Sequence, residues 1–133
     1  MATTANLNSD SQEIITGNDS IVIVDNLQSI RGGRTLNVTG FPLTVIKAGH
    51  VIITETATGD YKPMPLASGN TAYDTLPSGH TYAGILIASI ETKKPFAGIL
   101  VRGTVNPVAA PFPYTSILAA LKSALPLIDF RAD

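Results

Sequence analysis

Three features of the sequence predict a mainly β fold: a small sandwich or barrel-like domain with one short C-terminal helix and a flexible N-terminal arm. Apolar, β-branched runs recur about every 8 to 12 residues between Gly, Pro, Asn and Asp clusters, which is the spacing of short strands joined by turns. Only one stretch, 115–125, places apolar residues at helical spacing. Of the 133 residues, 44% are hydrophobic and 14% charged, which excludes a wholly disordered chain and provides one cored domain rather than two.

Residues 1–13 hold Thr, Asn, Ser, Asp and Gln with almost nothing to bury, so an arm over 1–20 is expected, followed by a β-rich domain over 21–133. Ile21, Val22, Ile23 and Val24 form a continuous β-branched run of the kind found in a strand covered on both faces, by core or by a neighbouring subunit. Arg31-Gly32-Gly33-Arg34 breaks the chain before Thr35–Thr39, which alternates like a strand with one wet face. Leu43–Ile46 follows as a further strand. Val51–Thr56 and Tyr61–Met64 then read as a hairpin around Gly59, with Pro63 and Pro65 restricting the returning strand to an edge.

Residues 67–80 lack periodicity and read as a surface loop. The apolar segments 83–90 and 96–105, each containing Ala-Gly-Ile-Leu, flank the charged turn Glu91–Pro95 and predict a central hairpin whose small residues permit close approach. A Pro-rich bend over 107–113 leads to the helix 115–125, where Ile117, Leu118, Leu121 and Leu125 share a face, Thr115 or Ser116 caps the start and Pro126 stops the run. The apolar tail Leu127–Arg131 is expected to dock.

Nine Lys and Arg against ten Asp and Glu give a net charge of -1, which provides no basic field for nucleic acid. No basic-then-apolar leader begins the chain and no apolar run approaches the roughly 20 residues of a membrane span, so synthesis and retention on the cytosolic side are expected, with the sequon Asn37-Val38-Thr39 unused. Without cysteine there is no disulfide frame or thiolate metal site. A folded monomer of this mass exposes roughly 6,700 Å², about 350 Å² for each charged side chain, so apolar area is expected to face outward and seek protein partners.

Chemistry-bearing patterns are sparse. His50 and His80 each follow a glycine, and both are expected to sit in loops before strands and hydrogen-bond locally rather than to ligate metal or act as an acid/base pair. Glu55, Asp60, Asp74 and Glu91 fall in turns or strand ends, where solvation is their expected role. Nucleophile elbows, dinucleotide glycine fingerprints and phosphate loops are absent from the sequence, so no catalytic residue, metal or cofactor is assigned. Arg31 and Arg34 could grip an anion but read as a turn. Eight scattered aromatics without Trp make no nucleic-acid stacking platform.

Segments 34–41, 46–52, 61–65, 83–86, 97–106 and 117–125 resemble the head-fiber and head-decoration proteins of tailed bacteriophages, most closely those carried by phages of gut bacteria. The resemblance spans residues 31–130 and is architectural rather than catalytic. It implies a β-rich knob, a homotrimer or else a dimer, that binds the major capsid protein on the outside of an assembled head, alone or beneath other head-fiber proteins. Ile21, Val22, Ile23, Val24, Arg31, Arg34 and Phe41 are then the expected partner-binding residues, and the arm adds a strand to the shell or threads onto it. The other reading is a carbohydrate- or host-surface-binding module on the virion, with Tyr61, Tyr73, Tyr82 and Tyr114 as exposed platforms.

Overall fold

A computed structural model describes residues 16–132; the expected arm, up to residue 15, lies outside the described residues. The chain is mainly β, as its patterning predicts. It runs α1 (Asp19–Val22), β1 (Ile23–Ser29), β2 (Arg34–Thr35), β3 (Val45–Ile46), β4 (Val51–Glu55), β5 (Tyr61–Pro63), β6 (His80–Leu86), β7 (Ile90–Glu91), β8 (Phe96–Ala97), β9 (Ile99–Val105), α2 (Leu118–Ala124) and β10 (Ile128–Phe130). Six strands form one sheet in the order β1-β9-β6-β4-β5, with β10 parallel to the second half of β9. β2 pairs β8 and β3 pairs β7 as two short ladders.

Alternation along the central strands builds two cores, one on each face of the main sheet. Val51, Ile53, Ile85 and Leu100 turn toward a cluster closed by Val22, Met64, Tyr73, Tyr114, Leu121 and Phe130. Ile52, Leu86 and Ile99 turn the other way, toward Leu36, Ile46 and Ala97, beneath the two short ladders. The helix and long loops therefore cover one face of the sheet and the ladders cover the other.

The hairpin β4–β5 forms where expected, with Gly59 at φ +77° and Pro63 in the edge strand. β6 and β9 are antiparallel neighbours, as the paired Ala-Gly-Ile-Leu segments predict, although β7 and β8 interrupt their connection. The C-terminal helix is shorter than 115–125 because residues 115–117 form a turn before Leu118.

The largest correction concerns Ile21–Val24. These residues are not a strand covered on both faces: Ile21 and Val22 end α1, and Ile23 and Val24 begin β1. Asp19 and Ser20, expected in the arm, also belong to α1. Thr35–Thr39 is a strand only at Thr35, after which Leu36 makes one parallel bridge to Tyr61 and residues 39–40 turn. No described helix is long and apolar enough to cross a membrane.

Candidate functional site

The most exposed of the three seven-residue strands is β1, six of whose residues face solvent. Among the described residues it pairs on one side only, with β9, through three register shifts. Its position is set by α1. The Asp19 carboxylate accepts hydrogen bonds from the Ser89 backbone N–H and hydroxyl, both at 2.8 Å, while the Val22 carbonyl accepts from Asn106 N at 2.8 Å. Ser89 Oγ in turn accepts from Ala48 N at 3.1 Å, so one serine joins the N-terminal helix to the loop before β4.

This anchoring turns Val22 and Ile23 inward, to 1% and 9% exposure, so they cannot touch a partner as expected. Ile21, Val24 and Leu27 remain outside at 51%, 38% and 69% exposure. Three of the six large hydrophobic side chains exposed among the described residues thus fall within seven residues of chain, with Asp25 the one charge among them, while Phe96, Val108 and Leu127 are exposed elsewhere. Asp19→Ala removes two charge-assisted hydrogen bonds and should cost about 2 kcal/mol. Urea unfolding checks the magnitude, and faster amide exchange confined to 19–29 checks the location.

Arg31 is exposed on the turn before β2, and Arg34 is exposed as the first residue of β2. Arg34 donates from one guanidinium nitrogen to the Gly33 and Arg31 carbonyls at 2.7 and 3.2 Å, and its Cζ lies 5.6 Å from the centroid of the Tyr61 ring. It therefore closes its own turn, which is the local reading of the motif. Phe41 is half-buried and borders a cleft of about 390 Å³ together with Asn37, Thr39, Lys62 and His80. Lys62 Nζ pairs with Glu55 Oε2 at 3.0 Å and with His80 Nε2 at 3.3 Å. Lysine can only donate, so in this contact His80 Nε2 accepts, and Nδ1–H donates to the Ser78 carbonyl at 3.0 Å. Hydrogen bonds from Lys62 and then Thr58 hold the Glu55 carboxyl below its ordinary value.

No family model, curated protein or solved structure matches the chain. The seven residues expected to bind a partner do not converge on one patch: Ile21 and Val24 belong to the α1–β1 edge, Arg31 and Arg34 to the β2 turn, and Phe41 to the cleft. Leu27, Lys62 and the Asp19–Ser89 anchor were not singled out from sequence. Leu27 stands in the polar run Asp25-Asn26-Leu27-Gln28, where one exposed leucine leaves no periodic signal.

His50 sits in the loop before β4, as expected, but its ring bonds to a residue 14 positions away rather than locally; His80 bonds locally, to Ser78, but is the first residue of β6 rather than part of a loop. His50 is fully buried just before β4, donating from Nε2 to the Met64 carbonyl at 2.9 Å, while Nδ1 has no hydrogen-bond partner among the described residues. Phe41, Tyr73 and Phe112 meet its ring edge-on at centroid distances of 5.4, 5.2 and 5.7 Å. Burial drives its pKa from 6.5 down to about 4, against a smaller opposing effect of the Met64 bond.

The tyrosines correct a second expectation. Tyr73 and Tyr114 are buried at 4% and 2% exposure, and burial holds both hydroxyls well above their ordinary pKa. Tyr114 donates to the Gly49 carbonyl and Tyr73 accepts from Val51 N. They are core residues, and Tyr61 and Tyr82 are half-buried. Among the described residues, no group of three or more His, Asp or Glu could hold a metal ion.

Proposed function

We propose that the chain is a structural virion protein that binds the outer surface of an assembled phage capsid as an oligomer, decorating or stabilising the head or anchoring a head fiber. One observation carries most of this reading: a sheet-edge strand with six of seven residues exposed, bearing Val24 and Leu27, with Ile21 exposed on the helix that leads into it. Exposed apolar side chains close together in the chain, Ile21 at the end of α1 and Val24 and Leu27 on β1, lower free energy by meeting another protein surface. The three register shifts in β1 disrupt the regular ladder that a strand added along its outer edge would need. Contact through side chains fits this edge better.

The partners in this reading are the major capsid protein and further copies of the chain, with a trimer ahead of a dimer, and the protein acts without turnover. Symmetric copies multiply weak contacts into durable attachment through avidity. The N-terminal segment enters the domain at α1, beside the same edge, and in this reading contributes to shell attachment.

Co-sedimentation with phage heads and light scattering test the reading together. The intact protein is expected to scatter as an oligomer and pellet with heads. Val24→Asp with Leu27→Asp should abolish both properties while leaving the circular dichroism unchanged, since both residues are exposed. Removal of residues 1–15 should weaken head binding without unfolding the domain. A strict monomer that stays in the supernatant at every concentration rejects the proposal.

A further inference from the structure

The cleft beside Phe41 has the ingredients of a ligand site that the capsid reading does not use. Its volume of about 390 Å³ falls within the usual range for small-molecule pockets. Phe41, Pro42, Pro63 and Pro77 supply rigid walls rich in C–H surface. The remaining polar edge consists of Asn37, Thr39, Lys62 and His80.

The electrostatics of that edge select the ligand. The Lys62 ammonium is already neutralised by Glu55 at 3.0 Å, so an anionic group entering the cleft would compete with a carboxylate already in place. Two of the three Lys62 N–H bonds go to Glu55 and His80, leaving one donor without an acceptor among the described residues. Asn37 is positioned by two contacts: its Nδ2 donates to Asp60 Oδ2 at 3.4 Å, and its Oδ1 accepts from Thr39 N at 3.2 Å. The second N–H of that carboxamide, the other lone pair of its oxygen and the Thr39 hydroxyl can each exchange hydrogen bonds with a ligand. Rigid C–H-rich walls beside a neutral edge of mixed donors and acceptors match an uncharged ring that is apolar on its faces and hydroxylated around its rim.

We propose that this cleft binds one neutral hexopyranose residue of a glycan, held by Asn37, Thr39 and Lys62 with its ring against Phe41 and the prolines. His80 acts as a positioning residue, because its imidazole fixes the direction in which Lys62 presents the free N–H. The site lies away from the α1–β1 edge, so glycan binding and capsid binding stand or fall separately.

The experiment is an amide-resolved NMR titration of the full 133-residue protein with the methyl glycosides of glucose, galactose and N-acetylglucosamine, with sodium acetate as the anionic comparison. Saturable shifts at Asn37, Thr39, Lys62 and His80 with at least one glycoside, and none with acetate, are expected. Lys62→Met should weaken the binding roughly tenfold, the loss of one charge-assisted hydrogen bond. Thr39→Val, at an exposed position, provides a second variant should Lys62→Met perturb the fold. Shifts with none of the three glycosides, shifts centred elsewhere, acetate binding as strong as the sugars, or undiminished affinity in both variants would each overturn the proposal.

Discussion

Between pH 7 and pH 4, His50 alone is expected to remove about 3 kcal/mol of folding stability, at ~1.4 kcal/mol per pH unit over the interval from 6.5 to about 4. The sign follows from proton counts. In the unfolded chain the imidazole takes up its proton as the pH falls through 6.5, whereas in the folded protein burial among Phe41, Tyr73 and Phe112 delays this until about 4. Between those values the unfolded state binds more protons, so stability falls with pH, and below about 4 the His50 contribution levels off. His50→Gln isolates the effect, because glutamine does not titrate and its amide can still donate to the Met64 carbonyl. At pH 7 the wild type should be the more stable protein, and its advantage in urea unfolding should shrink by about 3 kcal/mol by pH 4. Glu55, held ionised by Lys62, also loses stabilisation in acid, but it does so in both proteins and cancels in the difference. A constant gap between the two proteins across this range would show that His50 is not held neutral by burial.

The legible parts of the fold were those whose cause is local. The alternation of Val51, Ile52 and Ile53 between the two cores is a period-two pattern, and Gly59 marks its turn by needing φ +77°. Ile21–Val24 misled because its direction depends on Asp19 meeting Ser89, a contact across 70 positions that no local window contains. Beyond Ile23 and Val24, β1 was missed for the complementary reason: Asp25-Asn26-Leu27-Gln28 has weak strand preference and is held extended by pairing with β9. Aromatics that look scattered in sequence converge through long-range contacts into one chain of rings, from Phe41 through His50, Tyr73 and Tyr114 to Phe130. The cleft shared this obscurity. Lys62 and His80 are 18 positions apart, and only the β4–β6 register that sets Glu55 opposite His80 assembles their network.

The repeated Ala-Gly-Ile-Leu tetrads make the second large prediction, because their glycines are equivalent in sequence and opposite in consequence. Gly84 lies in β6 opposite Ile52, and a methyl group on its Cα would enter the space of the Leu100 carbonyl oxygen and of Ile99 Cγ2, 2.6 Å away. Neither neighbour can retreat freely: Ile99 and Leu100 are fully buried, and Leu100 is paired with Ile85 in the same sheet. Gly84→Ala should therefore force β6 and β9 apart and cost on the order of 3 kcal/mol, the upper range for overpacking a close-packed interior. Gly98 sits between β8 and β9, where the same methyl would meet only Ile87 Cδ1 at 3.5 Å, an ordinary contact, and its φ is not in the left-handed region. Gly98→Ala should leave stability within about 1 kcal/mol of wild type, with a small gain expected from the reduced freedom of the unfolded chain. Thermal and urea unfolding of the two variants side by side provides the check. Equal losses at both positions would mean that the β6–β9 approach is not what requires glycine, while the expected asymmetry would trace one tetrad to close packing and leave the other a likeness of sequence alone.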